Sequence, residues 1–276
     1  MIPQNFAYSS PNSLEAALDQ LADGSAKVLA GGMSLIPLMK LRLASPESLV
    51  DLRRVPGLKY IREENGVLHI GAMTTHYEVE SSVLVRATCP LLAEAAASIG
   101  DVQVRNAGTI GGSVAHADPA ADYPASLLAL EASVTLASKA GERTLSLEDF
   151  LVDTMTTALE PGEIVREVTV GVERNDVGTA YAKMLQPASG FAIVGVAARI
   201  GTGFARIGVT GLASKAYRAR NVEALLEGGA DAAAAAAVIA EGIDANSDLH
   251  ASADYRRHLA TVYAARAIRQ AISRAR

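Results

Sequence analysis

Two glycine-rich stretches constrain this chain more than any other feature of its sequence. The first is Ala30-Gly31-Gly32-Met33-Ser34-Leu35, and the second is Arg105-Asn106-Ala107-Gly108-Thr109-Ile110-Gly111-Gly112-Ser113. Paired glycines let a backbone approach a ligand without interference from Cβ. Successive N–H groups in such turns form a concave anion site, and the hydroxyls of Ser34, Thr109 and Ser113 add donors. One such loop is more often an ordinary turn, but two loops facing each other suit the diphosphate of a dinucleotide.

Neither stretch fits the common nucleotide-binding motifs. The spaced-glycine dinucleotide fingerprint and the phosphate loop both require an acidic or lysine partner that is missing at the corresponding positions. The sequence also contains no nucleophile elbow and no His-Glu-x-x-His motif, and its five histidines show no metal-ligand spacing. A Rossmann fold, a P-loop fold, a hydrolase and a metalloenzyme are therefore disfavoured.

Composition narrows the class of protein further. The 276 residues, half of them apolar, can bury two or three modest cores, and a net charge of -5 without a dense basic block argues against nucleic acid and anionic membranes. Cys89 is the only cysteine, so this chain alone can form neither a disulfide nor a four-thiolate cluster. No signal-peptide pattern and no apolar run of about 20 residues occurs, which predicts a soluble cytoplasmic protein without a transmembrane segment.

The order of predicted elements indicates an α+β chain. The first part reads as a helix from Leu14 capped by Ser13, strands at 27–30 and 48–52, a boundary at Pro56-Gly57, and a hairpin over 60–70 turning at Asn65-Gly66. The middle part reads as helices at 76–85 and 90–99, a glycine-rich loop through Gly112, a helix starting at Asp118-Pro119 with its body at 120–130, and strands at 133–137 and 163–170. After a polar turn at 173–178, strands at 179–185, 192–200 and 204–212 precede Ala-rich helices, including 232–237. We therefore predict a separate C-terminal domain from about residue 174.

Both glycine-rich stretches resemble the signature motifs of one protein family. The first continues into Leu38-Met39-Lys40, and the second into His116-Ala117-Asp118-Pro119-Ala120-Ala121-Asp122. Together they are similar to the FAD-binding medium subunit of carbon monoxide dehydrogenase and related molybdenum hydroxylases, whose eukaryotic cousin is the flavin domain of xanthine dehydrogenase. The similarity in layout covers nearly the whole chain.

The resemblance implies a two-subdomain FAD-binding fold of the PCMH type followed by a smaller α+β C-terminal domain. The corresponding division is an N-terminal α/β subdomain at 1–57, a second α+β subdomain at 58–173, and a C-terminal domain of strands and then helices at 174–276.

The resemblance also implies a set of cofactor-binding residues. In the family both stretches bind the FAD diphosphate. The resemblance therefore assigns these residues to the cofactor: Ala30, Gly31, Gly32, Met33, Ser34, Leu35, Thr109, Ile110, Gly111, Gly112 and Ser113. His116, Ala117 and Asp118 lie in a segment that wraps it, where His116 has a positioning role rather than that of a base or a covalent attachment point. Many relatives have His or Thr in place of Met33 and Asn in place of Ser113.

Four more residues carry a role from the resemblance beside an ordinary structural one. Asp122 contacts the sugar portion, or is simply an acidic residue at a helix N-terminus. Ile99 packs on the adenine, although alone it reads as core. Lys183 lies near the isoalloxazine, or is an exposed strand lysine, and Phe191 lies against the flavin ring, or packs at a buried strand end.

The function implied is electron transfer. FAD, held non-covalently, accepts electrons from iron–sulfur (2Fe-2S) clusters and passes them to quinone, NAD or O2, and this chain needs no catalytic residues of its own. The molybdenum cofactor and the 2Fe-2S clusters belong to a large and a small partner subunit, in a dimer of heterotrimers. Residues 36–43 and the Ala-rich C-terminal domain are candidate contacts. A stand-alone flavin oxidoreductase and a non-catalytic scaffold are the alternatives, and substrate and acceptor stay open.

Overall fold

The chain begins with a small parallel sheet. In the computed structural model, which describes residues 2–275, its strands are β1 (Ala7–Ser9), β2 (Ala26–Leu29) and β3 (Ser48–Asp51) in the order β1-β3-β2. Helix α1 (Leu14–Leu21) connects β1 to β2, and α2 (Leu35–Lys40) follows β2. The hydroxyl of Ser13 accepts a hydrogen bond from the N–H of Ala16 at 3.1 Å, which confirms the predicted helix cap.

A five-stranded antiparallel sheet forms the middle of the molecule. Its strands are β4 (Ile61–Glu64), β5 (Val67–Gly71), β6 (Ser133–Ser138), β7 (Gly141–Ser146) and β10 (Ile164–Gly171), in the order β4-β5-β10-β6-β7, while β8 (Leu151–Asp153) and β9 (Thr156–Thr157) pair separately. The helices of this part are α3 (His76–Ser81), α4 (Val83–Thr88), α5 (Pro90–Ala97), α6 (Val102–Ala107), α7 (Ile110–His116), α8 (Asp122–Ala129) and α9 (Leu147–Phe150). A 3-10 turn at Leu52–Arg54 precedes the sheet.

The hairpin that opens this sheet is the one predicted from sequence. Glu64 pairs with Val67 across a two-residue turn, in which Asn65 and Gly66 have φ of 53° and 77°. Positive φ at both positions matches the twist of the flanking strands and is tolerated by Asn and Gly. The local prediction is therefore confirmed.

The C-terminal part is an antiparallel sheet covered by helices. It contains β11 (Gly178–Leu185), β12 (Ala192–Gly201), β13 (Phe204–Thr210) and β14 (Tyr217–Arg218), followed by α10 (Arg220–Glu227), α11 (Ala232–Ala237) and α12 (Ala253–Arg274). The Ala run forms α11 as predicted, with Asp231 capping it. Together with the other sheets this confirms the predicted α+β class, whereas the boundaries at 57 and 173 stay predictions.

Helix α8 joins the middle and C-terminal parts. All eight of its residues are buried, because it packs against β12 and β13 as well as α5. A Cβ added at Gly208 on β13 would lie 2.8 Å from the carbonyl carbon of Ala125, so strand and helix backbones meet directly. No helix within residues 2–275 has both the length and the apolarity needed to span a bilayer.

The predicted glycine-rich loop through Gly112 is wrong, because this stretch forms α6 and α7. Asp101 caps α6 by accepting a hydrogen bond from the N–H of Val104, and Thr109 caps α7 by accepting one from Gly112. Two N-cap signals therefore outweigh the low helix propensity of the glycines. The helix expected from Asp118-Pro119 begins only at Asp122, since the Asp118 side chain closes a turn onto the N–H of Ala120 at 2.8 Å.

Other element predictions need smaller corrections. The single helix expected at 76–85 is two, because the Ser82 backbone is extended and its hydroxyl caps α4. The next helix ends at Ala97 rather than 99. Five short strands, β1, β7, β8, β9 and β14, are absent from the sequence reading, since their stability comes from pairing rather than from an apolar alternation.

Truncation of one core side chain tests the packing of the middle part. Phe150 is fully buried, so Phe150→Ala is expected to lower the free energy of unfolding by about 3–5 kcal/mol. Val152 is 50% exposed two residues away, and Val152→Ala is expected to change it by less than about 0.5 kcal/mol. Urea unfolding followed by circular dichroism measures both, and equal losses would contradict the assigned core.

Candidate functional site

The two glycine-rich stretches lie in direct backbone contact. A Cβ added at Gly31 would collide with the carbonyl oxygen of Ala107 and would lie 2.7 Å from the Cα of Gly108. One added at Gly112 would lie 3.5 Å from the Cβ of Ala30. The absence of a side chain at these glycines is therefore what allows the first stretch to meet the second.

The first stretch presents a row of unused donors. Within residues 2–275, no hydrogen-bond acceptor is found for the backbone N–H groups of Gly31 through Leu35. Gly32 has φ of +75°, a left-handed conformation that turns the chain between β2 and α2. Ser34 precedes α2 and its hydroxyl makes no capping bond, so this hydroxyl is a further polar group beside the N–H row. Consecutive N–H groups on a turn are suited to an anionic group.

The second stretch differs in its hydrogen bonding. The N–H groups of Ile110 and Gly111 donate to carbonyls of the segment 72–76, at 3.0 and 2.9 Å, and the N–H of Gly112 donates to the Thr109 hydroxyl at 3.1 Å. The expectation that this stretch offers a second row of free N–H groups is therefore wrong. The N–H of Thr109 has no acceptor among residues 2–275, and the hydroxyls of Thr109 and Ser113 are further donors of this stretch.

Segment 72–76 holds the second stretch in place and is missed by the sequence reading. A Cβ at Gly111 would lie 2.8 Å from the Cα of Ala72, and one at Gly108 would lie 2.5 Å from Nε2 of His76. The signal that marks this segment is a capping box, in which Thr75 and Glu78 each bond the other's backbone N–H.

His76 lies behind the second stretch as a buried neutral imidazole. Its ring packs edge-on against Tyr123, with centroids 5.3 Å apart, and its side chain is almost inaccessible. Burial, assisted by the nearby Arg105 guanidinium, lowers the pKa of His76 to about 4. Neither Nδ1 of His76 nor the hydroxyl of Tyr123 has a partner among residues 2–275.

Asp122 and Lys183 form a buried ion pair. The Asp122 Oδ1 atom lies 2.8 Å from Lys183 Nζ and accepts a hydrogen bond from the Tyr181 hydroxyl at 2.6 Å. Lys183 Nζ also donates to the carbonyls of Ser98 and Gly190, at 2.6 and 2.7 Å. The Lys183 side chain is only 7% exposed, so the alternative of an exposed strand lysine is wrong. Burial raises the pKa of Asp122, against the opposing effect of the ammonium.

Ile99 and Phe191 belong to two loops that touch. Ile99 is half-buried against the main apolar cluster. The turn at 186–191 packs next to Ile99: a Cβ added at Gly190 would lie 3.3 Å from the Cα of Gly100. Phe191 is 44% exposed at the end of this turn, which contradicts the alternative of a buried strand end.

The segment after α7 is shaped by a left-handed residue. Ala117 has φ of 50° and ends the helix, and its carbonyl accepts a hydrogen bond from the N–H of Met155 at 3.2 Å. Nε2 of His116 lies 4.0 Å from Oδ2 of Asp118.

Met33, in the first stretch, is 38% exposed. No group of three or more metal-ligating side chains is found within residues 2–275.

Comparison with known proteins defines the class to which this fold and this site belong. A family model described as the FAD binding domain in molybdopterin dehydrogenase matches residues 4–172, and the CO dehydrogenase flavoprotein C-terminal domain matches residues 179–271. The chain is 40% identical to the carbon monoxide dehydrogenase medium chain of Hydrogenophaga pseudoflava, covering 99% of each chain. It is also 40% identical to the 6-hydroxypseudooxynicotine dehydrogenase complex subunit alpha of Paenarthrobacter nicotinovorans, covering 100% of this chain and 97% of that one.

Solved structures agree over the full length. Carbon monoxide dehydrogenase from Hydrogenophaga pseudoflava gives a TM-score of 0.96 at 40% identity, covering 100% of both chains. Quinoline 2-oxidoreductase from Pseudomonas putida 86 gives 0.93 at 34% identity, covering 100% of this chain and 99% of that one. The chain belongs to the family of FAD-binding medium subunits of molybdenum hydroxylases and is a flavoprotein oxidoreductase subunit.

Adding one methyl group at the contact between the stretches tests its importance. Gly31→Ala is expected to push the first stretch away from Ala107, lowering the free energy of unfolding by about 1–3 kcal/mol and weakening FAD binding. Gly171→Ala is the matched control, since a Cβ there meets no atom within 4 Å. Urea unfolding and FAD titration of both variants give the comparison, and wild-type FAD affinity in Gly31→Ala would contradict the assignment.

The buried imidazole predicts a pH dependence of stability. Because the folded-state pKa of His76 is depressed from 6.5 to about 4, the unfolded chain takes up a proton at a higher pH than the folded chain. The stability that neutral His76 contributes is therefore present above pH 6.5 and is lost as the pH falls toward 4, by about 2 kcal/mol between pH 7 and 5.

Urea unfolding at pH 7 and at pH 5 measures this loss of unfolding free energy in the wild type and in His76→Gln. The loss between the two pH values should be about 2 kcal/mol smaller in the variant. His258→Gln, at an exposed position, controls for removing a histidine. An identical pH slope in the wild type and His76→Gln would show that the imidazole is not held neutral.

Proposed function

We propose that this chain holds FAD non-covalently between its two glycine-rich stretches and passes electrons from 2Fe-2S clusters of a partner to an external acceptor. The observation that carries the proposal is the contact between the stretches, beside the row of free N–H groups from Gly31 to Leu35. Those groups supply donors to the FAD diphosphate without any movement of the backbone.

The other donors and acceptors of the site fit the remainder of the cofactor. The hydroxyls of Thr109 and Ser113 add donors on the opposite side of the diphosphate. The ion pair with Lys183 and the hydrogen bond from Tyr181 both involve Oδ1 of Asp122, and we propose that Oδ2 accepts a hydrogen bond from a sugar hydroxyl. Half-buried Ile99 is proposed for the adenine, and exposed Phe191 for the isoalloxazine.

The arrangement of charges supports electron transfer rather than substrate oxidation on this chain. Bound flavin accepts and releases electrons through its ring, and the protein fixes its position. His76 is buried behind the second stretch, and Asp122 is neutralised by Lys183, so neither is presented as an acid or base to a substrate. Two surface clefts, of about 270 and 190 Å³, are lined by no residue of either glycine-rich stretch.

The cysteine content of this chain implies partner subunits. Cys89 is the only cysteine of the sequence and is buried, so the clusters that deliver electrons must be held by another chain. We propose a large subunit carrying the molybdenum cofactor and a small 2Fe-2S subunit, in a cytoplasmic dimer of heterotrimers. Quinone, NAD and O2 are the candidate acceptors.

The isolated full-length chain is expected to bind one FAD and to turn over no substrate. Titration with FAD, followed by absorbance and by quenching of flavin fluorescence, should show saturation at one equivalent. Gly32→Val introduces a side chain at a residue with φ of +75° and should abolish this saturation, because the turn carrying the N–H row is displaced. A chain that ignores FAD would contradict the proposal.

Native mass spectrometry of the complex purified from its own cells identifies the partner chains. A flavin-loaded chain that is isolated without partners and oxidises a substrate would support the stand-alone oxidoreductase instead. Unchanged FAD content in Gly32→Val would support the scaffold alternative.

A further inference from the structure

Three consecutive carbonyls after α5 are bound by two cations, one from the adjacent helix α6 and one from the distant strand β11. Lys183 Nζ donates to the carbonyl of Ser98 at 2.6 Å. Nη1 of Arg105 donates to the carbonyls of Ile99 and Gly100, at 3.1 and 3.2 Å. Ser98 is the C-cap of α5, where the helix dipole favours a cation, and the carbonyls of Ile99 and Gly100 follow just beyond the helix.

Each cation is fixed by its own carboxylate. Lys183 pairs with Asp122 in the interior, with side-chain exposures of 7% and 4%. Arg105 donates through Nε to Glu80 at 2.8 Å, with exposures of 18% and 23%. Both cations are therefore held independently of any ligand, and the 98–100 segment is positioned by them.

Lys183 also fixes the turn at 186–191. Its third hydrogen bond goes to the carbonyl of Gly190, the same residue that packs on Gly100. An ammonium group has three N–H donors, and here they reach Asp122 and the carbonyls of Ser98 and Gly190. No donor of Lys183 is left over for a flavin ring.

We infer that Lys183 and Arg105 act as a two-cation clamp on residues 98–100 that positions Ile99 for the adenine end of FAD. This inference rests on the proposed FAD site and deepens it. Both cations are positioning residues, because they act through the 98–100 segment and do not touch the cofactor. The clamp also ties Ile99 to the second glycine-rich stretch, since Arg105 is the first residue of that stretch.

The test uses Lys183→Met and Arg105→Gln in the full-length protein, with Lys139→Met as the control. Lys139 is 59% exposed and pairs with Asp19, away from the clamp. Affinities for FAD and for ADP, which carries only the adenine end, are measured by isothermal titration calorimetry and by competition. The reduction potential of the bound flavin is measured at saturating FAD.

Both clamp variants are expected to weaken FAD and ADP binding about tenfold, a loss of about 1.4 kcal/mol, with an unchanged reduction potential. Arg105→Gln keeps the inference testable if Lys183→Met fails to fold, because its carboxylate partner Glu80 is in contact with solvent. The Lys139→Met control should match the wild type in all three measurements.

Two results would overturn the clamp. A changed potential in Lys183→Met with unchanged ADP affinity would place the ammonium at the flavin ring. Wild-type affinities in both variants would show that the 98–100 segment needs no cations. A wild-type chain that binds no FAD would instead contradict the proposed function itself, so the two failures are distinguishable.

Discussion

The site depends on the contact between the backbone of Gly31 and the backbone of Ala107 and Gly108. Any side chain at Gly31 would separate the turn after β2 from the junction between α6 and α7. The first stretch then supplies free N–H groups, whereas the N–H groups of residues 110–113 in the second stretch are already hydrogen-bonded within the protein. The two stretches therefore have different roles despite their similar glycine patterns: the first supplies hydrogen-bond donors, and the second supplies a packing surface.

This difference explains what the sequence predicts and what it does not. The Asn65-Gly66 turn and the Ser13 cap are predictable because all their interactions lie within a few residues. The second stretch is read as a loop because its glycines disfavour a helix, and the N-caps at Asp101 and Thr109 that reverse this are weak signals by themselves. Its requirement for glycine comes from packing against segment 72–76, which local patterns do not encode.

Lys183 shows the same limit for the candidate site. Lys183 follows Tyr181 and Ala182 on β11, and nothing in this local sequence predicts that its ammonium is buried. Its partners come from α8, from the end of α5 and from the turn before β12, and only the tertiary fold brings these together. The family resemblance selects the residue, whereas the geometry indicates how it acts.

The C-terminal strands also hold the turn at 119–121, which lies next to the proposed FAD site. The Thr210 hydroxyl lies within hydrogen-bonding distance of two carbonyl oxygens, of Pro119 and Ala121, at 2.7 and 2.8 Å, and its single proton is donated to one of them or shared. The N–H of Ala192 donates to the carbonyl of Ala120 at 3.1 Å. The turn that follows the second glycine-rich stretch is thus fixed by β12 and β13.

A movement of the C-terminal sheet would shift both the turn at 119–121 and the 98–100 segment, because strands of that sheet contact both. Coupling of this kind requires the rigid elements to be continuous between the two sites. The buried helix α8 provides that continuity, since it starts at Asp122 and packs along β12 and β13. Asp122 at the start of this helix and the turn before it are therefore held by strands of the C-terminal sheet.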